Sequence, residues 1–229
     1  TIVKKYNLTA NNITVINRGI DTKYFNEPLN AGIRDKIIKT HQIDTAKKII
    51  LFPARMTSWK GQLEFIDVVK KIDIQNILIL FAGDTKNESY TKLVREKIKQ
   101  NNLDGIFKIL GSVNQDEMRS LYQIADLSVS FPLRAEGFGR TVSESLYSKT
   151  PVLAFDYGGV KNQLENLSEM FKVKPQDHQA LPAKIEKLLS LSMDQKKEVI
   201  EGVKSIIEIN FSKINMVNQY LKLYESLKF

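Results

Sequence analysis

From residue 48 onward, short apolar runs alternate with longer amphipathic ones. Ile49-Ile50-Leu51-Phe52 predicts a strand, and Leu63, Ile66 and Val69 recur at helical spacing within 59–71. Asn76-Ile77-Leu78-Ile79-Leu80-Phe81-Ala82 is almost wholly apolar, as a parallel strand covered on both faces should be. The alternation continues with a helix over 88–100, a strand over 106–110, a helix over 115–125 and a strand over 127–131. A short helix over 141–147, a strand over 151–155 and a short last strand over 170–173 follow. Residues 178–190 read as a helix whose Pro182 must fall in its first turns or bend it. Strands separated by helices of this length are βαβ units. The predicted class is α/β, a Rossmann-like parallel sheet of about six strands with helices on both faces. Its ligand should lie beyond the carboxyl ends of the strands.

The flanks follow another pattern. Thr14-Val15-Ile16 predicts a short strand running into Asn17-Arg18-Gly19-Ile20-Asp21, and residues 22–47 a surface segment with one helix. The chain therefore divides into an edge and connecting segment (1–44), a Rossmann-like core (45–192) and C-terminal helices (193–229). Met216, Tyr220 and Tyr224 form an i, i+4, i+8 stripe, readable as core or as a docking face for another domain. Thr1–Leu8, within the connecting segment over 1–12, reads like the tail of a helix cut from something longer.

Composition removes several function classes. Among 229 residues there is no cysteine, which excludes disulfide scaffolds, thiol catalysis and cysteine-rich metal sites. With only His41 and His178, a multi-histidine metal centre is not expected, and neither histidine sits with a nucleophile elbow. The net charge is +8, and the whole excess lies in residues 1–110. Lysines far outnumber arginines and no compact basic stripe is present, so nucleic acid is not the expected partner. An anionic small substrate, or peripheral contact with an anionic membrane surface, fits the charge better. No run reaches 18 apolar residues, and a cytoplasmic location, at the inner face of the membrane, is expected.

The densest polar constellation is Arg134-Ala135-Glu136-Gly137-Phe138-Gly139-Arg140-Thr141-Val142-Ser143-Glu144, just past the strand ending at Phe131. Its glycines let the backbone approach a ligand, and a helix starting near Gly139–Thr141 would offer free N–H groups to a phosphate or sugar oxygen. Glu136 and Glu144 could address one ligand at different points. Equally, Glu136 could cap the helix while Glu144 pairs with a surface lysine. The second candidate is Arg55 with Lys60, after the first strand, where two cations could neutralise a departing diphosphate. A structural arginine and a solvated lysine remain the alternative. Gly83-Asp84, Gly111-Ser112-Val113 and Gly158-Gly159 end other strands at the same edge. The GxxxxGK[ST] order of a Walker loop is absent. Tyr122 and Trp59 read as packing residues.

These residues, in this order, resemble the C-terminal, donor-binding domain of retaining family 4 glycosyltransferases, one lobe of the two-lobed GT-B fold. The resemblance rests on Asn17-Arg18-Gly19-Ile20-Asp21, Ala54-Arg55 with Lys60-Gly61, Phe81-Ala82-Gly83 and Leu110-Gly111-Ser112-Val113. It continues through Leu121 to Asp126, Glu136-Gly137-Phe138-Gly139 with Glu144, Pro151 to Ala154, and Gly158-Gly159, and closes with Phe211-Ser212 leading to Tyr224-Glu225. Arg140 and Thr141 after the glycine look similar to bacterial lipopolysaccharide-type transferases.

The resemblance implies roles. Arg55, Lys60 and Glu136 would be the catalytic set, the two cations holding the diphosphate and Glu136 the donor sugar. The backbone of Gly137, Phe138, Gly139, Arg140 and Thr141 would hold the pyrophosphate. Glu144 would take the ribose hydroxyls, and the loop of Gly111 and Val113 the base. The donor would be a UDP-, GDP- or ADP-linked sugar, with no metal or other cofactor. The acceptor site would belong to a missing N-terminal lobe, toward which the last helix would cross, and the fragment alone would be inactive. One position departs from the pattern: many relatives have a glutamate three residues after the paired glycines, where this chain has Asn162. Two rival readings are a sugar-nucleotide epimerase of GT-B shape and a non-catalytic nucleotide-sugar-binding module.

Overall fold

The computed structural model describes Tyr6 and residues 13–28, 30–165 and 167–227; apart from Tyr6, the expected connection over 1–12 lies outside the described residues. Six strands form one parallel sheet: β1 (Lys48–Pro53), β2 (Ile77–Ala82), β3 (Phe107–Gly111), β4 (Leu127–Ser130), β5 (Val152–Phe155) and β6 (Lys172–Val173). Their order is β3-β2-β1-β4-β5-β6. β2 is buried along its whole length and β1 at all but Lys48, which explains their unbroken apolar sequences. Phe52, Phe65, Phe81, Phe131 and Phe155 make a chain of edge and tilted ring contacts across the sheet, with centroids 5.1–6.3 Å apart. The predicted six-stranded doubly wound sheet is therefore the observed one.

The helices are α1 (Thr22–Asn26), α2 (Ala31–Thr40), α3 (Gln62–Val69), α4 (Glu88–Gln100), α5 (Gln115–Ile124), α6 (Arg140–Tyr147), α7 (Gly159–Leu164), α8 (Leu181–Leu189), α9 (Met193–Phe211) and α10 (Lys213–Ser226). α3 packs with α4 and α8, while α6 packs with α1, α5 and α9. Pro182 falls in the first turn of α8, where its missing N–H costs nothing.

Several local expectations are corrected. Thr14-Val15-Ile16 forms no strand. Only Ile20 pairs, by a parallel bridge to Ser212, because the break between α9 and α10 frees just the Phe211 carbonyl and the Lys213 N–H. Residues 22–47 hold two helices: Pro28 follows the first, and the Asn30 side chain accepts from Gly32 N to start the second. The first core helix is split, a 3-10 turn at Ser58–Lys60 being separated from α3 by left-handed Gly61. The last strand is only two residues long, preceded by a 3-10 turn at Glu169–Phe171. His178 lies ahead of α8, its ring against Phe155. The C-terminal helix is broken at Ser212, whose hydroxyl caps α10. The core reading of the Tyr220 and Tyr224 stripe fails: these side chains are 42% and 60% exposed.

One ion cluster ties the last helices to the sheet. The Asp126 carboxylate accepts from Ile49 N at 3.0 Å, Lys48 Nζ at 3.2 Å and Lys196 Nζ at 3.0 Å. Burial would raise the Asp126 pKa, but these three donors outweigh it and hold the carboxyl below its usual value. Asp126→Ala leaves Lys196, which is 7% exposed, charged and without this partner. Because Asp126 is itself one-fifth exposed, a loss of about 2 kcal/mol is expected, at the low end for broken buried pairs. A denaturant midpoint unchanged from the native chain would refute it. The contribution is complete above the unfolded carboxylate pKa and fades only as pH falls through the lowered one.

Candidate functional site

β1 and β4 lie side by side, while the chain leaves them for opposite sides of the sheet order. That is the switch point at which a doubly wound sheet opens a crevice. The loops that follow these two strands are pressed together. Leu133 N donates to Trp59 O at 2.8 Å. A Cβ on Gly61, whose φ is 85°, would fall 2.3 Å from the Phe131 carbonyl oxygen, so only glycine fits there. Gln62 Nε2 holds the Arg55 carbonyl at 3.0 Å and keeps the Arg55 turn at the crevice mouth.

Two cavities adjoin at this edge. The first, of about 520 Å³, is lined by Arg55, Lys60, Val113, Arg140, Thr141 and Glu144, with Phe25, Met118 and Tyr122 as its apolar wall. The second, of about 640 Å³, is lined by Glu136, Gly137, Phe138 and Gly139 together with Trp59 and residues 15–18. Lys60 and Arg140 border both. The residues singled out from sequence thus meet in one double cleft. Of the residues expected to bind the donor, Gly111 alone lines neither cavity; it closes β3 with φ 77°, its carbonyl accepting from Gly83 N at 2.9 Å.

Two ion pairs lie inside. Lys60 Nζ donates to Glu136 Oε1, both side chains being largely buried. Arg140 Nε lies 3.3 Å from Glu144 Oε1. Tyr122 OH donates to Glu144 Oε2 at 3.1 Å. Burial pushes the Glu144 carboxyl above its ordinary pKa, against the opposing pull of Arg140 and of the Tyr122 hydroxyl. Burial and the neighbouring Glu144 push the Tyr122 phenol well up, so it is a donor at any ordinary pH.

Neither glutamate takes the alternative role that spacing left open. Glu136 does not cap α6; left-handed Gly139 is the N-cap, and no side chain satisfies the first turn. The free N–H groups of that turn are those a bound anion would use. Glu144 pairs with Arg140 rather than with a surface lysine.

Three contributions go beyond what the sequence showed. Tyr122 packs as expected, yet its hydroxyl also holds Glu144. Trp59 is half-buried in the wall of the second cavity, with Lys60 Nζ 4.3 Å above its ring. Gln163, on the unpredicted helix α7, is buried; it accepts from Ser143 Oγ and donates to the carbonyl of Phe138. Asn162, the position that departs from the family pattern, is exposed. The only sequence signal for Gln163 was its position just after Gly158-Gly159. That pair does not ring the cavity as a loop. It supports the Glu136 loop from below, Gly159 N donating to Glu136 O at 2.8 Å.

Residues 33–205 match the family described as glycosyl transferases group 1. The trehalose synthase of Thermococcus litoralis is 28% identical over 200 residues, covering 83% of this chain and 47% of that protein. A glycosyltransferase structure from Rickettsia africae superposes with a TM-score of 0.90 at 29% identity, covering 98% of this chain and 60% of that one. The Anabaena HepE structure in complex with UDP and glucose superposes with a TM-score of 0.84 at 22% identity, covering 98% and 60%. The chain spans about half the length of the curated relatives it matches. Those relatives include archaeal proteins, so the sequence likeness is wider than bacterial lipopolysaccharide synthesis. Among the described residues no group of three or more His, Asp or Glu side chains is placed to hold a metal ion, and no helix is long and apolar enough to cross a membrane.

Proposed function

Because the chain belongs to the group 1 glycosyl transferases and forms one lobe of a GT-B fold, we propose that it is the donor-binding half of a retaining transferase. The whole enzyme moves a sugar from a nucleotide donor to an acceptor hydroxyl, in the synthesis of a cell-envelope polysaccharide or lipopolysaccharide. One observation carries this reading: Arg55, Lys60, the uncapped start of α6 and buried Glu144 surround a single cavity at the sheet's switch point. Two cations and free backbone N–H groups suit a diphosphate, and an ionised carboxylate beside them suits a ribose diol. Val113 and Met118 then face the base. Glu136 and the Gly137–Gly139 backbone, in the adjoining cavity, face the sugar.

In this arrangement the leaving group is stabilised by fixed charges. Lys60 is held between Glu136 and the first cavity, so it neutralises the β-phosphate without reorganising. The acceptor site and the acceptor's proton transfer belong to the rest of the enzyme, and the exposed Tyr220–Tyr224 face of α10 is where that lobe docks. The chain works in the cytoplasm, and its lysine-rich first half brings the enzyme to anionic lipid. Liposome co-sedimentation at low salt, with no difference between neutral and anionic vesicles, removes that last element.

Calorimetric titration with UDP, GDP and ADP tests the reading. One nucleotide should bind, and UDP is the first choice because UDP occupies the Anabaena structure of the same fold. Binding of none overturns it. No acceptor-dependent transfer by this chain alone is expected.

The raised pKa of Glu144 makes a further prediction. Only the ionised carboxylate accepts from both ribose hydroxyls, so nucleotide binding should weaken as pH falls through a value above the ordinary carboxylate range. Loss of such a charge-assisted bond costs about tenfold in affinity. Folding stability responds in the opposite sense. A buried carboxyl with a raised pKa binds its proton more tightly when folded, so acidification through the raised pKa stabilises at this residue. Glu144→Gln should flatten both responses; a native-like pH profile in that variant refutes the assignment.

A further inference from the structure

The second cavity contains a cation that the proposed donor chemistry does not use. Arg18 lines it, together with Glu136 and Gly137. Like Arg55 in the first cavity, its guanidinium has no side-chain partner among the described residues. Lys60 is paired with Glu136 and Arg140 with Glu144, whereas Arg18 makes no hydrogen bond or ion pair among the described residues. Its backbone is nevertheless fixed. Ile20 N donates to Phe211 O and Lys213 N to Ile20 O, each at 2.8 Å, and Gly19 N donates to Met216 Sδ at 3.4 Å. A Cβ on Gly19 would fall 2.4 Å from the Ser212 carbonyl oxygen, so the segment lies directly on the break between the last two helices. A guanidinium carried on a pinned backbone, beside Trp59 and Val15, makes a site with one charged and one apolar element. At about 640 Å³ the cavity accommodates a sugar unit with a substituent.

We propose that Arg18 is a specificity residue that binds an anionic group carried by a sugar, a carboxylate or a phosphate, distinct from the donor's diphosphate. This rests on the donor-site reading above, which places the diphosphate in the first cavity. Arg18 is exposed, so water solvates its charge when nothing is bound; a carboxylate or phosphate matches its planar fork bidentately and replaces that water, which a neutral hydroxyl does not. The anion resides either on the acceptor or on the transferred sugar, and the two sources separate experimentally.

Trp59 is the only tryptophan of the chain and stands in the cavity wall, so its emission reports occupancy. Native protein and Arg18→Gln are titrated with glucuronate, glucose 6-phosphate, glucose and UDP. Glucuronate or glucose 6-phosphate should shift the emission, glucose should not, and Arg18→Gln should weaken the acid roughly tenfold, the effect of one lost charge-assisted bond. Arg18→Lys, which keeps the charge without the fork, should fall between. UDP affinity should be the same in all three proteins. If the anion is acceptor-borne, glucuronate binds with UDP-glucose already saturating. If it is donor-borne, UDP-glucose excludes glucuronate, and UDP-glucuronate binds about tenfold more tightly than UDP-glucose only when Arg18 is present. An equal response to glucose, or an unchanged acid affinity in Arg18→Gln, overturns the proposal. So does a loss of UDP affinity in Arg18→Gln, which would assign the residue to the diphosphate. Failure of the native protein to bind UDP at all is a different result, and counts against the donor-site reading itself.

Discussion

Lys60→Ala is expected to weaken nucleoside diphosphate binding by about 100-fold, the equivalent of roughly 3 kcal/mol. Two losses combine. The first is a charge-assisted bond to phosphate, worth about 1.5–3 kcal/mol. The second is the neutralisation of Glu136, whose side chain is only 11% exposed and is ion-paired to Lys60. Without the lysine, a partly buried carboxylate stands where a dianion must sit, and its repulsion is weakly screened. The double variant Lys60→Ala/Glu136→Gln removes that repulsion and should recover about tenfold of the affinity, a non-additivity that the cycle measures directly. Titration calorimetry on the four proteins gives the answer. Affinity within threefold of the native chain in Lys60→Ala would mean that Lys60 does not reach the phosphate, and that its role is to hold the Glu136 loop.

Gly159→Ala should have the largest effect on the architecture of the cleft. The added Cβ would fall 2.1 Å from the Gly137 carbonyl oxygen and 2.7 Å from Phe138 Cα, all of it backbone that no rotamer change relieves. Alanine is the better helix former, and Gly159 opens α7, so propensity alone argues for stabilisation. The clash reverses the sign. Overpacking of this kind costs about 1–3 kcal/mol, which for a domain of this size lowers Tm by roughly 2–12 °C. The same displacement moves the Glu136–Gly139 loop, so nucleotide binding should fall together with Tm. Gly137→Ala is the matched control: its Cβ meets nothing within 4 Å, and Tm should be unchanged. Equal melting of the two variants would show that α7 can back away from the loop, and would remove the support role assigned to Gly158-Gly159.

These two positions show different degrees of legibility. Lys60 and Glu136 were both marked by sequence as candidate chemistry. Their ion pair was not, because they lie 76 positions apart and only the switch point between β1 and β4 brings their loops together. Gly159 was legible as a turn, but its task was hidden, since it lies in the approach of two backbones that no local pattern encodes.

By itself the sequence determined the α/β class, the six parallel strands and the helices between them, α7 excepted. Each of those follows from short-range periodicity, and strands buried on both faces leave an unmistakable apolar run. It also determined which polar residues gather at the carboxyl edge, because βαβ connectivity sends every loop after a strand to the same side. Tertiary structure alone decided the rest. It divided Glu144 and Glu136 between two adjoining cavities, with Lys60 and Arg140 between them. It turned Tyr122 into the donor that holds Glu144 and Gln163 into the clamp on the Phe138 carbonyl. It left the Tyr220 and Tyr224 stripe on the surface, because α10 runs on past Ser212 with no element of the described chain placed over that face. A helical stripe records that something apolar is to be covered. Which neighbour covers it depends on contacts between residues far apart in the chain.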